Sequence, residues 1–147
     1  MTRGVPMKRI ILVLLLVLAF ASPATAEMRC DYCKMKIPDG SNYKVALTLK
    51  DGGRKVVCSL FCASIENERS GGDITGMTVL DYLTGEEVRA EDAIWVEGGD
   101  ARAVMSEEPR VAFKDKEKAD AFAGVHGGKV VPFGQAYGDS VKEWKGR

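Results

Sequence analysis

Four cysteines stand out chemically in this 147-residue chain, arranged as two close pairs, Cys30-Asp31-Tyr32-Cys33 and Cys58-Ser59-Leu60-Phe61-Cys62. A disulfide within either pair would close only a short step of chain and staple no core. Bridges between the pairs would do so, and an exported chain would meet an oxidising compartment. The same spacing lets four thiolates converge on one soft metal ion, one pair from a knuckle-like turn and the other from the start of a helix. Met35 lies two residues beyond Cys33, on the same side if that segment is extended. A thioether added to thiolates suits Cu(I) better than Zn(II). The predicted metal ligands are therefore Cys30, Cys33, Met35, Cys58 and Cys62, with Cu(I) the expected ion. Zn(II) in a four-thiolate tetrahedral site is the alternative, and would make the chain a zinc-stabilised interaction module. A third reading takes Cys30-Asp-Tyr-Cys33 as the dithiol of a thiol-disulfide oxidoreductase. Such dithiols sit at a helix start after a buried strand, and no strand pattern precedes Cys30.

Other candidates are sparse. Met28 is close to Cys30, Met105 falls in a loop before a predicted strand, and His126 is the single histidine. Its place beside Gly127-Gly128 reads as helix capping or packing, and one histidine excludes His-rich zinc hydrolase sites. The sequence contains no nucleophile elbow, phosphate loop or dinucleotide glycine fingerprint, so no enzymatic turnover is expected.

Positioning these sulfurs requires a small α+β scaffold. Residues 42–50 alternate Tyr43, Val45, Leu47 and Leu49 with polar or small residues, the pattern of a half-buried strand. Asp51-Gly52-Gly53 turns the chain into a partner strand over 54–58. Ser59 then caps a helix from Leu60 to Arg69, stopped by Ser70-Gly71-Gly72. Cys58 thus falls at a strand-to-helix junction, and Cys62 in the first helical turn, where the dipole favours thiolate. Further strands are expected at 77–82, 91–97, 109–113 and 129–133. Asp115 caps a helix with the stripe Ala119, Phe122, Ala123 and His126, and residues 134–144 form a helical tail. The predicted architecture is two small, similar lobes, each a short antiparallel sheet with a helix. The cysteine lobe spans 27–75 and the second lobe 76–147.

The amino terminus reads as an export signal. Arg3, Lys8 and Arg9 precede the apolar run 10–20, and Ala24-Thr25-Ala26 offers a cleavage site. Eleven strongly apolar residues fall short of the roughly 20 that span a bilayer as a helix. The expected products are a signal peptide over 1–26 and a periplasmic or secreted chain from Glu27 with no membrane span. Lipidation of Cys30 is disfavoured, because Glu27-Met28-Arg29 precede it instead of small residues. The whole sequence balances 21 basic against 21 acidic residues; removing Arg3, Lys8 and Arg9 leaves 18 basic against the same 21 acidic. With no basic block, nucleic acid is not an expected partner.

Cys30-Asp-Tyr-Cys33-Lys-Met35-Lys-Ile37, followed by Val57-Cys58-Ser59-x-x-Cys62, resembles the cysteine motif of the nitrous-oxide reductase accessory protein (NosL) family and of the short TRASH metal-binding modules. Ala93-Ile-Trp-Val-Glu-Gly-Gly99, Val104-Met105-Ser106 and the stretch from Val111 to His126-Gly-Gly128 are similar to the family's carboxy-terminal half. The resemblance implies an exported metallochaperone of two α+β lobes, which supplies Cu(I) to a copper enzyme such as nitrous-oxide reductase or to a copper-relay protein of the cell envelope. It implies Cys33 and Met35 as Cu(I) ligands with Cys30 beside them, and Cys58 and Cys62 as the second pair. This chain departs from the pattern in having Lys34 where many members have glycine, Phe61 where some have histidine, and no lipoprotein cysteine signal.

Overall fold

The computed structural model describes residues 26–147, so the predicted signal segment, Ala26 apart, lies outside the described residues. In chain order the elements are β1 (Val45–Leu49), β2 (Arg54–Val57), α1 (Leu60–Arg69), β3 (Ile74–Leu80), β4 (Glu87–Arg89), β5 (Ile94–Glu97), β6 (Arg110–Phe113), α2 (Lys116–His126), β7 (Lys129–Pro132) and α3 (Phe133–Lys145). The strands form two antiparallel sheets, ordered β2-β1-β3-β4 and β6-β5-β7. The α+β class with two lobes holds.

In the first sheet, Val45 and Leu47 of β1 point inward and are fully buried. Removing a side chain of that size from water stabilises the fold by about 1.5–3 kcal/mol. Gly52 turns the chain with φ of 83°, and β2 returns with Val57 opposite Val45. The other edge of β1 is covered by β3, which sets Met77 opposite Leu47. The strand predicted at 77–82 therefore belongs to the first sheet and starts earlier, at Ile74. The short, charged strand β4, absent from the sequence reading, closes that sheet's edge. The first sheet accordingly extends to Arg89. Without β3, β1 would leave an apolar edge unpaired.

In the second sheet β5 is central, flanked by β6 and β7. Residues 91–93, expected as strand, instead make a turn in which the Asp92 and Ala93 N–H groups donate to the Arg89 carbonyl. Helix α2 buries Ala119 and Phe122, and the Phe122 ring lies 5.1 Å from Phe113. Asp115 stands at its N-cap, but its carboxylate pairs with Lys118 at 3.1 Å and makes no cap bond.

Helix α3, predicted as a tail, is an internal brace. Ala136 is fully buried, and Tyr137 accepts a hydrogen bond from Asn67 at 2.7 Å while donating to Glu68 at 3.0 Å, which ties α3 to α1. One apolar cluster runs from Cys30, Leu47 and Phe61 through to Trp95, Ala112 and Val131. The lobes accordingly share a core. Asp81, fully buried after β3, strengthens the join: it accepts from the Leu83 and Thr84 N–H groups in its own turn and from the Lys114 N–H beyond β6, at 2.8–3.0 Å.

Candidate metal centre

The first cysteine pair sits on a tight loop. The Cys30 N–H donates to the Met35 carbonyl and the Lys34 N–H to the Cys30 carbonyl, both at 2.9 Å, while the strand-like bridge Arg29↔Lys36 pinches the loop's base. Lys34 closes the turn in the left-handed region, at φ of 64°, a conformation easier for glycine than for lysine. Asp31 fastens the loop to β2. Its N–H donates to the Val56 carbonyl at 2.9 Å, and its carboxylate accepts from the Val56 N–H at 2.6 Å. Two residues later the chain reaches Cys58. The role of Asp31 escaped the sequence reading, because its partner is 25 residues away and no local pattern marks it.

The second pair comes from the junction of β2 and α1. Ser59 is extended, and its hydroxyl accepts from the Cys62 N–H, so the helix starts where the sulfurs must face the loop. Cys58 and Cys62 flank that cap, with their sulfurs 3.5 Å apart; the sulfurs of Cys33 and Cys58 are 3.8 Å apart. All four sulfurs lie within 4.8 Å of one another. Four sulfurs about 2.3 Å from a shared ion in a tetrahedron stand about 3.8 Å apart. The cluster therefore has the dimensions of a single-ion site. All four residues are free thiols, with Cys33 half-buried and the other three buried.

Charge in the cluster is uneven. The Cys30 sulfur takes hydrogen bonds from the thiols of Cys58 and Cys62, which hold its pKa far below that of an ordinary thiol. The Cys33 and Cys58 N–H groups, each 3.4 Å away, add to this, and burial opposes it. Cys58 is pushed up to about 12, chiefly because its proton is shared with Cys30, with Cys62 partly offsetting the rise. Cys62 is raised as well, by Cys30 first and then by Cys58 and burial. Among Cys30, Cys58 and Cys62, negative charge thus settles on Cys30 while Cys58 and Cys62 hold their protons. A cation binding here would displace those protons.

The structure brings the sulfurs of Cys30, Cys33, Cys58 and Cys62 together. The turn itself spans residues 31–33, and Met35, just beyond it, is 56% exposed. Met35 lines a groove of about 580 Å³ that also touches Cys58, Tyr43, Tyr82, Leu83 and Met105. Met105, like Lys34, takes a left-handed backbone, at φ of 64°. Met28 is exposed, with its carbonyl accepting from Ile37. His126 stacks on Phe122 at 4.4 Å and bonds Asp100 through Nδ1 at 2.9 Å, in the second lobe. The Cys30-Cys33 step is not at a helix start, which is where a redox dithiol would stand.

The NosL family model matches residues 21–141. The chain belongs to the NosL family. No curated protein matches it. Among solved structures, the crystal structure of the copper chaperone NosL from Shewanella denitrificans is similar, with a TM-score of 0.61 and 23% identity over 72% of this chain and 87% of that one. The two share the fold. Within that NosL fold, this chain carries a four-cysteine cluster able to bind a metal ion.

Proposed function

We propose that this NosL-family protein carries Cu(I) as cargo and hands it to a copper-requiring partner, without catalysing a reaction of its own. The observation that carries the reading is the set of four convergent sulfurs with one member, Cys33, half-buried where the other three are buried, and with the exposed Met35 two residues further on. Soft sulfur donors favour Cu(I) over harder ions, and an accessible edge lets an incoming ligand share the ion before the buried sulfurs let go. The ligands proposed are Cys30, Cys33, Cys58 and Cys62, with Met35 next to them on the exit side. Family membership and the structural likeness to a copper chaperone support the same direction. The export grammar of residues 1–26 supports action in the cell envelope, where the recipient would be a copper enzyme or a relay protein. Among the described residues no helix is long and apolar enough to cross a membrane.

A second reading is favoured by the buried side of the cluster. Cys30 is fully buried and accepts two backbone N–H bonds, a setting that also suits a permanent four-thiolate Zn(II). Native mass spectrometry of the reduced protein, titrated with Cu(I) and Zn(II) together, separates the two. One Cu(I) bound in the presence of excess zinc supports the cargo reading, and stoichiometric zinc that copper does not displace supports the structural one.

A further inference from the structure

We propose that Cys33 is a redox modification site, at which a low-molecular-weight disulfide oxidises the metal-free cluster to a Cys33–Cys58 bridge. The inference rests on the reading of the cluster as a metal site, since it concerns what happens when the ion is absent. Among the four thiols Cys33 is the half-buried one, so an external disulfide meets it before Cys30, Cys58 or Cys62. Cys58 Sγ lies 3.8 Å from Cys33 Sγ, within reach of a side-chain rotation, and Cys58 also borders the open groove beside Met35. The loop holding Cys33 is fixed to β2 by the paired Asp31 and Val56 bonds, which keeps the two sulfurs facing each other in the absence of metal.

The chemistry balances in two exchanges. Cys33 attacks one sulfur of the external disulfide; the external S–S bond breaks, one external thiol leaves with the proton from Cys33, and a mixed disulfide remains on Cys33. Cys58 then attacks the Cys33 sulfur, the mixed bond breaks, and the second external thiol leaves with the proton from Cys58. Two protein thiols are oxidised and the external disulfide is reduced to two thiols. The product removes two of the four sulfurs from metal binding until a reductant restores them. A bound ion blocks the first step, because Cys33 is then engaged.

The test treats reduced, metal-free protein and Zn(II)-loaded protein in parallel with oxidised glutathione, and follows intact mass and disulfide-linked peptides. The expected result for the metal-free arm is loss of two hydrogens with a Cys33–Cys58 cross-linked peptide, and the loaded arm should oxidise at least about tenfold more slowly. In Cys58→Ser a glutathione adduct should persist on Cys33. Oxidation that links Cys58 to Cys62, or that begins on any thiol other than Cys33, overturns the proposal, and the parent protein alone reports both even if the variant does not fold. If zinc and copper both fail to bind, the metal-site reading fails while the metal-free arm still decides the bridge. Equal rates in the two arms with metal demonstrably bound would overturn the protection.

Discussion

At the scale of single residues, the four thiols are chemically unequal. Cys30 holds the charge, while the proton of Cys58, whose pKa is pushed up to about 12, and that of Cys62, raised as well, must leave when a cation takes all four sulfurs. Metal binding therefore releases protons. Affinity should rise with pH across the neutral range by up to about tenfold per pH unit for each proton released. Competition titrations at pH 6, 7 and 8 with a metal buffer check this, and a pH-independent affinity would mean that Cys58 and Cys62 are not ligands. Met35→Ala should leave the stoichiometry at one while weakening retention of Cu(I) or speeding its loss by a few-fold, because Met35 is exposed while Cys30, Cys58 and Cys62 are buried. The identity of the sulfurs was legible from spacing alone. The position of Met35 was not, since the left-handed turn at Lys34 comes from hydrogen bonds between Cys30, Lys34 and Met35 that leave no periodic trace.

At the scale of elements, the site depends on three joints: loop to β2, β2 to α1, and hairpin β3-β4 to the second sheet. The last is held by Asp81, which burial alone would push up but which the N–H groups of Lys114, Thr84 and Leu83 and the Thr84 hydroxyl bring to a net depressed pKa. Its contribution to stability is present above the ordinary carboxyl pKa and is lost as pH falls through the lowered folded value. Asp81→Asn should cost about 1–3 kcal/mol at neutral pH, by setting an amide N–H₂ against N–H donors. The variant should also lose much of the parent's destabilisation below pH 4. Chemical denaturation at pH 7 and pH 3 reads both effects. A close approach within the second lobe, apart from these joints, is that of Gly99 to the end of α2. A Cβ there would lie 2.6 Å from the His126 and Gly127 carbonyl oxygens, at φ of 85°. Gly99→Ala should therefore destabilise by at least about 2 kcal/mol in thermal or denaturant unfolding. Sequence patterns located most strands and helices but did not show that β3 pairs with β1. Its alternation shows one buried face and says nothing about which edge it joins. β4 was missed because three half-exposed or exposed residues carry no periodic signal.

For the whole molecule, the placement of α3 decides how the lobes cooperate. Its Ala136, Tyr137 and Trp144 pack on the same apolar cluster that encloses Cys30, Cys58 and Cys62. The fold is therefore braced from the carboxy terminus, and on the cargo reading the ion should leave without the core opening. A zinc ion that served as the core's staple would behave in the opposite way. The two lobes expected from the sequence are present and share an apolar cluster, a join the sequence does not display, since contacts such as those of Tyr137 with Asn67 and Glu68 arise only when distant segments meet. The most direct measurement loads the reduced protein with one Cu(I), challenges it with a competing Cu(I) chelator, and records copper transfer together with near-ultraviolet circular dichroism. Transfer should be complete with the folded signal unchanged, and Zn(II), which competes only for the emptied cluster, should not slow it. Loss of the folded signal as the metal leaves, with zinc alone restoring it, would contradict the account and make the cluster a structural zinc site.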